Sequence, residues 1–360
     1  MRWPWTRPAS GDQLVVSWSG QTLAYVLARG GADGVYQVLK FGVEQQGSDS
    51  TDDFVRRLQA LGLKGLVARV MLRPEQYQLL QIEAPAVAPD ELRSAARYQI
   101  REMLQTHVDD VTLDVMRVGD RAPKSSGHLF VVAATNAVVR SVLDLGDAMH
   151  WSVSVIDIQE TAQRNLQSAL AAGEGAPDRA NAVLVLVQGQ QAVLTISAKE
   201  ELFYTRRFEL PDGVLTAPWG HENDAAAGPD SAVGDYVPDY SVGGVSYGND
   251  YTSVPVDHVP EASGSGVAAD DKAQRLLVEV QRSLDVWDRS WSSMPLHVLR
   301  VYAGERSTEL SKWLSAQLGQ PVLPLDVSAM FAGFAEGAPD DRALCLPLLG
   351  VLMRSESHKL

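Results

Sequence analysis

A short polar turn ends the first strand-forming run of this sequence. It contains Ser17, Ser19 and Gly20. Turns between two strands can cradle a phosphate group with their backbone N–H groups. Phosphate transfer also needs a carboxylate close by, which positions Mg²⁺ and water. No acidic residue lies between positions 12 and 33, so the turn has the shape for phosphate binding and lacks the group that would hold a metal.

Two further turns have the same character. Gln188 and Gly189 follow a second apolar run, and no acidic residue lies between Asn181 and Lys199. A third small turn, around Gly304, follows a predicted strand near the end of the chain. We therefore predict no catalytic residue and no metal site at these turns. Nucleotide binding without hydrolysis stays open, because backbone amides alone can hold phosphate.

These turns are positioned by two sets of strand-forming runs. The stretch Ala182–Leu210 contains an unbroken apolar run followed by two more β-rich runs, which predicts a three-stranded meander. The continuous apolar character of its first run is typical of a strand that is buried on both faces. A weaker copy occupies 13–41, with turns at 19–21 and 30–34.

Two similar meanders, each followed by helical segments, predict an internally duplicated α/β protein with two lobes. The actin-like fold is built in this way. We expect an N-terminal tail (1–12) and a first lobe in two pieces (13–83 and 150–172), with a small inserted α/β subdomain (84–149) between them. The second lobe is expected at 181–353, with an acidic disordered insert within it (209–271).

The charge of this 360-residue chain is concentrated in one segment. The net charge is −14, and Phe208–Asp271 contains 12 acidic residues and no Lys or Arg, so the rest of the chain carries only −2. Generic nucleic-acid binding is therefore not expected. The segment is rich in Gly, Pro, Ser and Asp, and a loop of that length is typically functional or disordered.

The sequence favours a cytosolic protein. It has a single cysteine, Cys345, which excludes an internal disulfide. No apolar run approaches the roughly 20 residues that span a bilayer, and the first residues, MRWPWTRP, do not form a secretory signal. Trp3 and Trp5, flanked by Arg2 and Arg7, leave two alternatives open: contact with a membrane surface, or packing on the body.

The clearest predicted helix spans Pro89–Leu104, with Pro89 at its first position and acidic residues in its first turn. Arg93, Arg97 and Arg101 form a stripe at four-residue spacing. This stripe is either a docking surface for an acidic partner, including the chain's own acidic segment, or a solvated face that neighbouring acids neutralise.

Five segments in the same order resemble the PilM-like proteins of type IV pilus assembly, in particular the MSHA-pilus (MshI) branch, which is related to the cytoplasmic part of the type II secretion protein GspL. The segments are PDELRSAARYQIREML with VTLDV, VIDIQETAQRNL, LLVEVQRSLDVWDR and RVYAGERSTELSKWLSAQLGQPV. The resemblance covers nearly the whole chain apart from the acidic segment. It implies an actin-like fold with a small extra α/β subdomain in the first lobe.

The resemblance also implies a partner. PilM-like proteins bind the short cytoplasmic N-terminal tail of a PilN-like inner-membrane protein in a groove beside the small subdomain. By resemblance, Arg97, Tyr98 and Arg101 are the candidate groove residues. The resemblance places the chain at the inner membrane through this partner, and a homo-oligomer is also possible.

The sequence departs from the family at its nucleotide loops. Members carry a DIG-type turn where this chain has Ser17–Ser19 and again where it has Val187–Gly189, and a glycine-rich adenosine loop where it has only Gly304. We therefore expect a scaffold with a degenerate nucleotide site and no required cofactor. The alternatives are an active actin-like ATPase, or a sugar kinase on the same fold. A kinase would need a catalytic acid, and the nearest candidate, Asp157, is expected to orient the helix that follows it.

Overall fold

A computed structural model of the chain describes residues 11–31, 34–118, 127–187, 191–216, 219 and 267–354. Most of the predicted N-terminal tail and of the predicted acidic insert lie outside these residues. The first part of the described chain contains the following helices and strands: β1 (Asp12–Trp18), β2 (Thr22–Gly30), β3 (Tyr36–Gln45), α1 (Thr51–Ala60), β4 (Val67–Leu72), β5 (Tyr77–Glu83), α2 (Leu92–Gln99), β6 (Val111–Arg117), β7 (His128–Thr135), α3 (Asn136–Ala148), β8 (Ser152–Ile158) and α4 (Gln159–Gly173).

The second part begins with another meander. Its elements are β9 (Ala180–Val187), β10 (Gln191–Ala198), β11 (Glu201–Glu209), α5 (Val267–Ser290), β12 (Leu296–Tyr302), α6 (Ser307–Leu318), β13 (Val322–Pro324), β14 (Phe331–Ala332) and α7 (Pro339–Leu352). Both predicted meanders are confirmed, because β1–β2–β3 and β9–β10–β11 pair in antiparallel order.

The strands form three sheets. The first lobe contains a six-stranded sheet in the order β14-β3-β2-β1-β4-β8, and the second lobe contains a five-stranded sheet in the order β11-β10-β9-β12-β13. In each large sheet the first strand of the meander pairs on its other side with a parallel strand, β4 or β12. The two lobes therefore repeat one topology, as the duplicated pattern predicts.

The central strand β9 is buried on both faces, as its apolar sequence predicts. Ala182, Leu184 and Leu186 pack into the core that the second lobe forms with α5 and α6. Val183 and Val185 point the other way, into a core shared with the first lobe. Because successive side chains of a strand alternate between its faces, an unbroken apolar run serves two cores at once.

The third sheet is small and is ordered β5-β7-β6. With α2 it forms a unit that we call the small subdomain. Leu92, Ala96 and Ile100 attach α2 to one face of this sheet. The sheet begins at Tyr77, before the predicted boundary at residue 84, and α3 packs its Val142 and Leu145 into the core of the first lobe.

Helix α2 is shorter than predicted. The α-helix covers Leu92–Gln99, preceded by a 3₁₀ turn at Pro89–Glu91, and residues 101–103 are turns. Ile100 still donates its N–H to Ala96, and Met103 donates to Ile100. Both Ile100 and Met103 pack in the core beneath α2, so the apolar spacing beyond Gln99 reflects a packed turn and not a longer helix.

The two lobes are joined by a crossing of α4 and α7. Helix α4 follows the first lobe in sequence and packs on β9, β10 and β11 of the second lobe, whereas α7 ends the second lobe and packs on β1, β2 and β3 of the first. At the crossing, Gly350 of α7 lies against the backbone of Ala162 in α4. Each lobe therefore includes one helix that comes from the other half of the chain.

Cys345 lies in the interior of this arrangement. Its side chain is fully buried in α7 and its Sγ lies 3.5 Å from the carbonyl oxygens of both Tyr25 and Gly42. Burial raises the pKa of the thiol to about 12. At neutral or mildly alkaline pH the native thiol therefore stays protonated and shielded.

We expect Cys345 to react with a thiol reagent such as Ellman's reagent at least about a hundredfold more slowly in the native protein than in guanidinium chloride, because only the exposed thiolate is nucleophilic. The chain has one cysteine, so the unfolded control should give one equivalent of product at pH 8. Fast labelling of the native protein, without loss of its circular-dichroism signal, would contradict this burial.

Candidate functional site

The first candidate site lies where the parallel strands of the first lobe end. Strands β1, β4 and β8 run parallel, so their carboxyl ends meet at one edge of the sheet. In open α/β sheets, ligands bind outside this edge. The segments that leave it begin at Trp18, Arg73 and Gln159, and in the second lobe the turn at Ala303–Arg306 follows the parallel strand β12 in the same way.

The predicted turn after β1 is held by side chains of the protein itself. Arg73 donates from Nε to Ser17 Oγ (3.4 Å) and from a terminal nitrogen to the Thr22 carbonyl (3.4 Å). Gln76 donates from its amide to the Trp18 carbonyl (2.7 Å). Ser19 closes the turn by accepting from the backbone N–H of Thr22 (3.1 Å). Ser17 is buried, so its hydroxyl stabilises the turn and is not exposed to a ligand.

Gly20 has the conformation that such a tight turn requires, with φ +90°. A Cβ at this position would meet nothing within 4 Å. The space beside Gly20 is therefore open, whereas Ser17 and the carbonyls of Trp18 and Thr22 are already hydrogen-bonded to Arg73 and Gln76. Gln188 and Gly189, which we predicted for the second turn, lie outside the described residues.

The third predicted turn is fixed by the side chain of a serine that follows it. Gly304 has φ +61°, and Ser307 hydrogen-bonds both the N–H of Ala303 and the carbonyl of Gly304. The guanidinium of Arg306 stacks on the buried indole of Trp219, 4.1 Å from its ring centre. Arg306 also forms a two-bond pair with Glu309 at 2.8 and 2.6 Å.

Two buried carboxylates lie at this end of the first lobe, and both are bonded to other groups of the protein. Asp157 accepts from the N–H of Ile158 and from the hydroxyl of Thr161, and pairs with Arg354 at 2.9 Å. This geometry agrees with the predicted role of Asp157 at the start of the following helix. Glu160 is completely buried.

Glu160 belongs to a cluster that sequence reasoning missed. One carboxylate oxygen accepts from the hydroxyl of Tyr77, and the other from Arg207 Nε at 2.7 Å. Arg207 also donates to the carbonyls of Pro74 (2.6 Å) and Tyr77 (3.3 Å), and its guanidinium lies 4.3 Å from the centre of the Tyr77 ring. Burial, followed by the charge of Glu160, raises the pKa of the Tyr77 phenol well above its usual range.

No group of three or more metal-ligating side chains occurs among the residues that the structure describes. Gln76 lies in the short turn between β4 and β5. Sequence signals for Arg73 and Glu160 were present, since these residues come within two positions of the ends of the parallel strands β4 and β8. The signal for Arg207 was not, because it lies inside a strand and far along the chain from its partners.

The second candidate site is a groove on the small subdomain. Its volume is about 470 Å³, and it lies between the second half of α2 and the 3₁₀ turn at Val108–Asp110 that leads into β6. It brings together all three predicted partner-binding residues, Arg97, Tyr98 and Arg101, with Ser94, His107, Val108 and Asp109. We call this feature the α2 groove.

The three predicted residues have different roles in the α2 groove. Arg97 builds its wall, because it donates to the carbonyls of Val108 (2.6 Å) and Val111 (3.2 Å). Tyr98 is 80% exposed, the most exposed large hydrophobic residue in the described part of the chain. Arg101 is mostly exposed, with a loose contact to Glu102 (3.4 Å).

The three arginines of the stripe lie in different surroundings. Arg93 lies outside the groove and pairs with Asp114 at 3.0 Å, as on a solvated face. Arg97 is held by backbone carbonyls. Within the α2 groove, Arg101 keeps a side chain that is largely available to a partner, since its contact with Glu102 is an exposed surface pair of little energetic weight.

Comparison with known proteins gives a fold. No protein-family model and no curated protein matches the chain. A chain of a PilM–PilN type IV pilus biogenesis complex is similar over 95% of this chain and 99% of its own length, with a TM-score of 0.61 and 17% identity. The likeness confirms the predicted actin-like α/β fold, and at this identity it shows the fold alone.

Two other solved structures are less similar. The cytoplasmic domain of EpsL, an inner-membrane component of the type II secretion system of Vibrio cholerae, matches 55% of this chain and 71% of its own, with a TM-score of 0.38 and 16% identity. A Bacteroides thetaiotaomicron protein with an actin-like ATPase fold matches 96% and 99%, with a TM-score of 0.45 and 7% identity. Across the described ranges, no helix has the length and apolar character needed to cross a bilayer.

Proposed function

We propose that this chain is a non-enzymatic scaffold of a type IV pilus assembly platform and that it binds the N-terminal tail of a PilN-like inner-membrane protein. The observation that carries the proposal is the α2 groove, which joins an exposed tyrosine and an available arginine with a wall fixed by Arg97. The full-length likeness to a chain of a PilM–PilN complex supports the choice of partner.

The chemistry of the α2 groove suits an extended peptide. Tyr98 offers an aromatic surface at low conformational cost, and exposed tyrosines and arginines are the residues that most often dominate peptide and protein binding. Strand β6 begins beside the groove, and among the strands that the structure describes it pairs only with β7. A peptide that continues along β6 would add main-chain hydrogen bonds to those side-chain contacts.

A degenerate nucleotide site is the second part of the proposal. The turn after β1 has no carboxylate, and Arg73 and Gln76 of the same lobe satisfy its polar groups. Glu160, a buried acid at the same end of the first lobe, has both oxygens bonded to Tyr77 and Arg207. A side chain held in this way cannot bind Mg²⁺ without breaking a buried cluster.

The sequence resemblance supports a finer assignment, to an MSHA-type pilus, with the protein on the cytoplasmic side of the inner membrane. We include this assignment in the proposal because the five resembling segments include PDELRSAARYQIREML, which forms α2 and the turn after it. ATP is not required in this proposal.

The test is calorimetry with a synthetic peptide of the N-terminal tail of the PilN-like protein, in the absence and presence of Mg-ATP. We expect the same affinity in both conditions. Tyr98→Ala should weaken binding roughly tenfold or more, because a largely exposed aromatic side chain would become buried in the complex. Arg101→Ala should weaken binding by a smaller factor.

Arg93→Ala is the matched control, since Arg93 lies on the same helix outside the α2 groove and should leave the affinity unchanged. Arg97 is not a suitable test, because its loss would also release the Val108 and Val111 carbonyls. A peptide that binds equally to the wild type and to Tyr98→Ala would place the tail elsewhere. A strict requirement for Mg-ATP would contradict the degenerate site.

A further inference from the structure

The cluster around Glu160 joins segments that are far apart in the sequence. Glu160 begins α4, Pro74 and Tyr77 connect β4 of the first lobe to β5 of the small subdomain, and Arg207 lies on β11 of the second lobe. Arg207 connects the second lobe to the other segments. It contacts Glu160, the Pro74 carbonyl and both the carbonyl and the ring of Tyr77. Its side chain is only 16% exposed and that of Glu160 is not exposed at all.

An apolar junction lies beside the same strand of the second lobe. Val118 and Phe130 of the small subdomain form a buried cluster with Leu202 of β11, and Leu79, Met116 and Trp291 pack against it. Phe130 projects from the face of the small sheet opposite to α2, since its neighbours Leu129 and Val131 pack in the core beneath α2. The small sheet is therefore held between α2 and the second lobe.

The two contacts have complementary properties. The apolar junction buries surface area but does not fix an orientation. Arg207, in contrast, makes several directional hydrogen bonds at a buried position. An arginine with a planar, bidentate donor fork fixes orientation better than other cations. Breaking one partner of such a buried pair leaves an uncompensated charge, which strongly destabilises the contact.

We infer that Arg207, together with the Phe130–Leu202 junction, is a clamp that holds the second lobe against the first lobe and the small subdomain, so that the lobes keep one relative orientation without any bound ligand. The clamp lies on the side of the small sheet opposite to the α2 groove. This inference does not depend on the proposed function, because it concerns the protein without nucleotide or partner.

The test measures the distance between the lobes directly. Spin labels are placed at Asp52 on α1 and Lys312 on α6, both exposed, as Asp52→Cys and Lys312→Cys in the full chain. We expect one narrow distance distribution. The double variant Arg207→Met with Glu160→Gln removes both charges and leaves no unpaired ion, and it should broaden the distribution.

The matched control is Arg206→Met. Arg206 is the neighbouring residue on β11 and pairs with Glu279 of α5, inside the second lobe, so its loss should leave the distribution narrow. Hydrogen exchange gives a second readout: the clamp variant should accelerate exchange of the 74–80 segment about tenfold or more, while β1 and β9 stay protected.

If the double variant fails to fold, Phe130→Ala tests the apolar half of the clamp in the same labelled background and should also broaden the distribution. The inference is overturned if the clamp variants and Arg206→Met give the same narrow distribution. It is also overturned if the wild type already shows a broad range of distances.

Discussion

Gly350→Ala is expected to lower the free energy of unfolding by about 3 kcal/mol, since overpacking in a close-packed core forces backbone shifts. A Cβ on Gly350 would lie under 3.0 Å from the carbonyl oxygen of Ala162, and 2.9 Å from its Cα. The obstacle is backbone in the partner helix, which cannot rotate away as a side chain can. Denaturant unfolding followed by circular dichroism measures the change.

Gly173→Ala is the matched control for this substitution. Gly173 also lies in a helix, at the end of α4, and a Cβ there would meet nothing within 4 Å. Alanine should therefore be neutral or stabilise the protein by up to about 1 kcal/mol, the usual gain from replacing a helical glycine. Equal effects of the two substitutions would show that the α4–α7 crossing is looser than described.

Gln167→Ala is the second substitution with a large expected effect, and it tests the attachment of α4 to the second lobe. Gln167 is completely buried. Its amide donates to the carbonyls of Asn181 (3.1 Å) and Thr195 (2.9 Å), and its oxygen accepts from the Ser197 hydroxyl (2.6 Å). Removal takes these hydrogen bonds out of the core and opens a cavity, so we expect a loss of about 3 kcal/mol or more.

Gln167→Met separates the two contributions, because it keeps most of the volume and removes only the hydrogen bonds. It should cost less than Gln167→Ala, by about the amount attributable to the cavity. Gln99→Ala, at an exposed position of α2, should change the unfolding free energy by no more than about 0.5 kcal/mol. An effect of Gln167→Ala as small as that of Gln99→Ala would refute the buried network.

The strands and their duplication could be predicted from the sequence because they follow from local pattern. The apolar run of β9 and the turn after β10 specify a meander without any knowledge of distant residues. Residues Lys199 and Glu200 form that turn with φ of 52° and 67°. The actin-like fold could be predicted because two such meanders occur in one chain.

From the sequence, the position of the α2 groove could be predicted, but the roles of its individual residues could not. The resemblance pointed to Arg97, Tyr98 and Arg101, and the structure brings all three together. The sequence could not show that Arg97 is a structural part of the wall, since its partners are carbonyls of residues 108 and 111. Every residue has a backbone carbonyl, so the residue types of a sequence do not indicate which carbonyls accept a hydrogen bond from a side chain.

The Glu160 cluster and the Gly350 contact could not be predicted for a different reason. Tyr77, Glu160 and Arg207 come from three distant segments, and a single sequence contains no record of which residues meet in space. In the sequence, Gly350 looks like any small residue in an apolar helix. Only the crossing with α4 shows that a Cβ at this position would clash with the backbone of Ala162.

The exchange of helices between the lobes has a consequence for synthesis of the protein on the ribosome. The apolar face formed by Val15, Val26 and Val38 is covered by α7 (Pro339–Leu352), which is translated about 300 residues after these strands. This face of the meander therefore stays uncovered on the ribosome until that much more of the chain has emerged. Only then can α7 pack on β1, β2 and β3 and complete the first lobe.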